Sequence, residues 1–300
     1  LLDEAIEYLD IKPSGTYVDM TLGGGGHSEL ILERIPEGTL FCFDQDEYAL
    51  EYAKKRLAKF SNVTFIKDNF VNAAARLKEK GIIQVDGILF DLGVSSFQFD
   101  IPERGFSYQT DNPLDMRMDL NQSENAMTIV NTYTQDKIAE ILFRYGEEPF
   151  ARVIAKKIVE YRFHKPIETT FELVDIIKGA LPNKILRKKG HPAKQTFQAL
   201  RIAVNDELGV LEKALHDSIG LLKLGGRLVT ITFHSLEDRI CKTVFRNYAT
   251  IDIPKGVPIL VDEIPVLRLV TKHVVKPQES EVLANNRAHS AKLRAVEKTL

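Results

Sequence analysis

Four times within the first 93 residues, a short apolar run closes on a polar turn and gives way to residues spaced for a helix. The runs occupy residues 16–19, 39–43, 62–67 and 85–90, and the helical stripes include Leu30, Ile31 and Ile35, then Leu50, Ala53, Leu57 and Phe60. The turns are Gly23-Gly24-Gly25-Gly26, Asp44-Gln45-Asp46, Asp68-Asn69-Phe70 and Asp91-Leu92-Gly93. Such alternation predicts an α/β fold, a mostly parallel sheet joined by right-handed crossovers. Asp46 stands where a helix N-cap belongs.

From residue 104 to 205 the rhythm changes and the helical period dominates. Ile138, Ile141, Leu142 and Tyr145 form one stripe, and Phe150, Val153, Ile154, Ile158 and Tyr161 form another. Thr169-Thr170-Phe171-Glu172 reads as a capping box ahead of Leu173, Val174, Ile177 and Leu181. The sheet then resumes. A helix around 207–222 leads through Gly225-Gly226-Arg227 into a fifth strand at 228–233, and runs at 264–271 and 290–297 offer the last strands. The predicted organisation is a discontinuous sheet domain, 1–103 and 206–300, carrying an all-helical insertion at 104–205.

Charge follows the same division. The insertion holds 16 Lys and Arg against 12 Asp and Glu, whereas the remainder holds 24 against 30. A basic middle on an acidic frame points to a polyanionic partner for the middle. Cys42 and Cys241 are the only cysteines, with no CxxC or Cys/His cluster, so no metal or disulfide framework is expected. No stretch is apolar enough to span a bilayer and no leader is visible, so a cytoplasmic, membrane-free setting is expected.

The glycine turn after the first strand suits a nucleotide-like ligand, because glycine lets a ligand approach the backbone closely. Its glycines are offset from the Gly-x-Gly-x-x-Gly dinucleotide fingerprint. With Asp19 inside the strand end, they fit S-adenosylmethionine better than a nicotinamide cofactor, and Asp19 is a candidate for the ligand's amino-acid end. Asp44 is placed for ribose hydroxyls, with helix capping as the competing role. Phe70 could wall an adenine and Asp68 meet its edge, or Phe70 could simply open a helix core. Asp91, Ser95 and Ser96 follow the fourth strand, facing the crevice or forming a polar turn.

Within the insertion, Phe106 beside Gly105 is a candidate for stacking on a base. Arg117 is a candidate RNA contact, in a charged run that reads equally as a self-paired loop. Lys184, Arg187, Lys188, Lys189, Lys194 and Arg201 fall in eighteen residues without an acid, a candidate RNA-phosphate contact. His234, past the fifth strand, either orients substrate or caps the next helix.

Taken together these runs resemble the MraW methylase family of ribosomal RNA small-subunit methyltransferases. The resemblance is carried by Gly25-Gly26-His27-Ser28, residues 91–96, Arg104-Gly105-Phe106-Ser107, residues 113–118, His191-Pro192-Ala193 with 196–201, and residues 233–239. It implies a Rossmann-like class I S-adenosylmethionine-dependent methyltransferase with a seven-stranded sheet. The implied reaction is methylation of the N4 amine of a cytidine in 16S rRNA, at position 1402. It also implies cofactor contacts at Gly25, Gly26, His27, Asp44, Phe70, Asp91 and Gln98. An exocyclic amine is a weak nucleophile, and acceptors for its N–H groups would favour attack. Asp91, Ser95 and Ser96 are the candidates for that role, although the Asp-Pro-Pro-aromatic signature of broader amino-methyltransferases is absent. The partner is then 16S rRNA or the small ribosomal subunit, with a homodimer also open. A non-catalytic RNA-binding assembly factor and a nicotinamide-dependent oxidoreductase are the competing readings.

Overall fold

A computed structural model describes residues 1–93, 101–251 and 264–300. Seven strands form one sheet in the order β3-β2-β1-β4-β5-β7-β6: β1 Thr16–Asp19, β2 Thr39–Asp44, β3 Val63–Lys67, β4 Val85–Asp91, β5 Leu222–Thr232, β6 Leu267–Leu269 and β7 Lys292–Lys298. The first five run parallel, and β7 lies antiparallel to both β5 and β6. This is the mostly parallel, Rossmann-like sheet expected of a class I methyltransferase.

Strand residues are apolar on both sides because both faces of the sheet are covered. Val18, Phe41, Phe43, Ile88 and Phe90 pack into one core with the helices Ala73–Glu79, Glu207–Leu221 and Ser235–Ala249. Their alternates Tyr17, Leu40, Cys42 and Leu89 pack into a second with Leu2–Leu9, Gly26–Leu32 and Glu47–Arg56. The two-residue period of a strand sends neighbouring side chains to opposite cores. The Gly225-Gly226 stretch expected to precede β5 lies inside it instead, and the pairing with β4 shifts register between Val85 and Gly87.

The chain divides into two compact units, one comprising Leu1–Gly93 with Leu208–Leu300 and the other Val94–Glu207. The second has its own helical core, including Phe106, Leu142, Ile154, Ile177 and Leu200. Its helix Thr170–Ala180 begins with a complete capping box between Thr169 and Glu172. Val153, expected on the buried stripe of Ala151–Arg162, is 47% exposed, and Ala151 and Ala155 fill the face with Ile154 and Ile158. Among the described residues, no helix is long and apolar enough to cross a membrane.

Candidate functional site

Strand β1 pairs with β2 on one side and β4 on the other, so the strand order reverses between β1 and β4. In an open α/β sheet, ligands lie beyond the carboxyl ends at such a break. Here those ends carry Asp19, Asp44 and Asp91. The departing chain stays tied to both neighbours, since the Met20 amide donates to the Leu89 carbonyl and the Leu22 amide to that of Phe43, each at 2.9 Å. Gly25, at φ 75°, takes the left-handed conformation that glycine accepts without strain and caps the helix Gly26–Leu32. Arg56 clamps the turn, donating to the Gly24 carbonyl at 3.2 Å and to Glu29 at 2.8 Å.

The three acids have different duties. Asp19 is 1% exposed, and its oxygens accept from the Thr21 amide at 3.0 Å and the Ser28 hydroxyl at 2.6 Å. Burial raises its pKa, partly offset by Ser28 and His27. Asp19 therefore braces the turn from inside, contrary to its expected place at the ligand's amino-acid end. Asp44 accepts from the Gly23 and Asp46 amides, both at 2.9 Å, one per oxygen. Each oxygen keeps a further acceptor site. Burial pushes the Asp44 carboxyl up to about 6, against the pull of those amides. Asp46 is the helix cap, accepting from the Tyr48 amide at 3.1 Å, which leaves Asp44 free of that role.

Asp91 is the least committed of the three. Its Oδ2 lies 3.5 Å from His27 Nδ1, while Oδ1 and His27 Nε2 are both buried without a hydrogen-bond partner among the described residues. Its side chain is 32% exposed. Burial pushes its carboxyl up to about 7, with the chain's amino group opposing and Glu237 adding to the rise, and burial lowers the pKa of His27. The Asp91 main chain is fixed nonetheless, for its amide donates to the Thr21 hydroxyl at 2.7 Å.

Phe70 is half-buried, edge-on to Phe90 with ring centroids 5.4 Å apart. Asp68, expected beside it at an adenine edge, is taken up by Arg76 at 2.6 Å and by Asn72 and the Asn69 amide at 2.8 Å. Burial works against its ionisation, but those donors hold its pKa below the usual value. Ser95, Ser96 and Gln98 lie outside the described residues.

In the helical unit the structure corrects three expectations. Phe106 is 5% exposed, packed into the core rather than presented to a base. The reason is Arg104, buried beneath it, which donates to the carbonyls of Arg117 and Met118 at 2.9 and 3.0 Å and draws the two motifs together. Arg117 grips both Asp115 oxygens at 2.8 and 2.7 Å and donates to the carbonyls of Leu120 and Gln122. Its run is a self-paired loop. Arg201 forms a two-pronged pair with Glu207 at 2.8 and 2.9 Å. Lys188, Lys189 and Lys194 are exposed, as are Lys184 and Arg187, and no acid pairs with these five among the described residues. The ring of His191 stacks on Tyr108 at 4.4 Å and accepts from the Ala193 amide, anchoring the basic loop. In the sheet unit, His234 caps Ser235–Ala249 in a reciprocal box with Glu237, so the capping alternative is the one realised.

The MraW methylase family model matches residues 1–299. The chain belongs to the MraW methylase family. The ribosomal RNA small subunit methyltransferase H of Streptococcus equi subsp. equi is 53% identical over 303 aligned positions, which cover 99% of this chain and 96% of that protein. Its counterparts of the same name from Streptococcus dysgalactiae subsp. equisimilis and Streptococcus pyogenes serotype M4 are each 52% identical over the same shares. The solved rRNA methylase of Streptococcus thermophilus aligns over 100% of this chain and 94% of its own at 13% identity, with a TM-score of 0.45, a likeness too slight to add to the strand order.

In this MraW family member the sheet unit thus brings Gly25, Gly26, His27 and Asp91 together beside Asp44. Reading the sequence missed Thr21, Ser28 and Arg56, which hold that group in place. Ser28 follows His27 directly in the glycine motif, so its part was signalled by position; Arg56 lies a full helix away and carried no such signal.

Proposed function

We propose that this chain uses S-adenosylmethionine to methylate the N4 amine of a cytidine in 16S rRNA, with the small ribosomal subunit or its precursor as partner. The carrying observation is the Asp91 carboxylate, whose Oδ1 is buried at the carboxyl end of β4 without a partner among the described residues. An orphaned acceptor of that kind fits a site completed by ligand. The spare acceptor sites of Asp44 suit ribose hydroxyls, and the half-buried ring of Phe70 suits the adenine face.

When bound, S-adenosylmethionine supplies a methyl group on a sulfonium that leaves as a neutral thioether. Alignment of amine and methyl accounts for much of the acceleration in such a displacement. Asp91 accepts an amine N–H, drawing the nitrogen lone pair out of the ring and relieving the positive charge that grows there. A carboxyl raised to about 7 is a stronger proton acceptor, once ionised, than an ordinary aspartate. The five exposed basic residues of 184–194 meet RNA phosphates. The test is nucleoside mass mapping after incubation with labelled S-adenosylmethionine and either naked rRNA or assembly-stage small subunits. N4-methylcytidine at one position is expected; no label in either substrate overturns the assignment.

A further inference from the structure

Beyond Asp19 the ladder between β1 and β4 has one last main-chain rung, the Met20 amide to the Leu89 carbonyl. The strands then separate as the chain swings into the glycine turn, and the Asp91 amide has lost a main-chain partner in β1. Thr21 takes its place. Its hydroxyl accepts the Asp91 amide at 2.7 Å, while its own amide donates to Asp19 Oδ1 at 3.0 Å. One residue therefore joins the two acidic strand ends at the point where the sheet opens. Among the described residues, the Asp91 carboxylate, by contrast, meets His27 at 3.5 Å and leaves Oδ1 without a hydrogen-bond partner. Its position is inherited from its own main chain, which β5 holds on one side through the pairing with Ile231 and Thr21 holds on the other.

We propose that Thr21 is a positioning residue of the cofactor crevice, its hydroxyl standing in for a sheet rung and setting where the Asp91 carboxylate sits. The inference rests on the cofactor reading above. Thr21→Val keeps the shape and removes the acceptor; Thr21→Ser keeps the acceptor and removes a methyl. Calorimetry with S-adenosylhomocysteine as the probe separates them, alongside circular dichroism for the fold. The expected result is roughly tenfold weaker binding for Thr21→Val and affinity within about twofold of wild type for Thr21→Ser. Methyl transfer should follow the same order, with the loss in kcat as well as in KM.

Equal affinity of wild type and a folded Thr21→Val would show that the contact is merely structural. Loss of affinity in a folded Thr21→Ser would also overturn the proposal, even if Thr21→Val failed to fold. A wild-type chain that binds no S-adenosylhomocysteine would bring down the cofactor reading and this inference together, an outcome distinct from the other two.

Discussion

The two units handle their charged side chains in opposite ways. In the helical unit, Arg117 and Arg201 are consumed by carboxylates and carbonyls of the same unit, and Arg104 is buried against two carbonyls. Residues 184–194 of that unit, by contrast, expose five basic side chains that no acid pairs among the described residues. In the sheet unit the reverse holds: Asp44 and Asp91 sit half-buried at strand ends and retain acceptor capacity. Rigid, unsatisfied acceptors suit a small ligand held in one pose. Exposed cations without an acidic partner suit a polyanion gripped by charge alone. An arginine with its fork already filled is architecture, whatever motif it belongs to.

The sharpest way to break this contrast is at Asp91. Its raised pKa, about 7 against the ordinary 3.8, means that folding favours the protonated form. That contribution is full below about pH 4 and is lost as pH rises through 7. Asp91→Asn, neutral at every pH, should therefore be more thermally stable than wild type at pH 8 while methyl transfer falls about a hundredfold. A variant less stable at that pH would assign Asp91 to the architecture instead.

In the helical unit substitutions should cost stability before they cost chemistry. Gly105 has φ 70°, and an added Cβ would lie 2.3 Å from the Pro113 carbonyl oxygen. Gly105→Ala should destabilise by about 3 kcal/mol, through strain plus displacement of the neighbouring loop. Arg117→Ala should cost about 2 kcal/mol by stranding Asp115 and two carbonyls. Thermal melts check both; in folded Arg117→Ala protein, an unchanged salt slope of RNA binding would confirm that this guanidinium is not a phosphate contact. The smallest structural effect belongs to Lys188→Gln with Lys189→Gln. Stability should hold within about 0.5 kcal/mol, while the slope of log affinity against log salt falls by about 1.5. An unchanged slope would make the basic loop a solvated surface.

The sequence was most legible where topology converts position into place. A run that alternates between two cores and ends in an acid delivers that acid to the carboxyl edge of the sheet, so the places of Asp44 and Asp91 are legible in the sequence. Asp46 was identified as a cap by its spacing from the apolar stripe. No comparable rule governs the insertion. Phe106 next to glycine looks exposed until Arg104 is seen to bind carbonyls thirteen and fourteen residues away. Arg117 has a partner only two residues distant, yet the spacing cannot say that both prongs are filled. Gly225-Gly226 reads as a turn, and only the register shift against β4 keeps it within a strand.

The most direct measurement is the pH dependence of kcat/KM for S-adenosylmethionine with rRNA held at saturation, because this ratio reports ionisations of the enzyme–rRNA complex that takes up the cofactor. It should rise with pH through an apparent value near 7 in the wild type, set by Asp91 together with His27. That inflection should vanish in Asp91→Asn. A wild-type profile flat between pH 6 and 8, or the same inflection surviving in Asp91→Asn, would contradict the role given to this carboxylate.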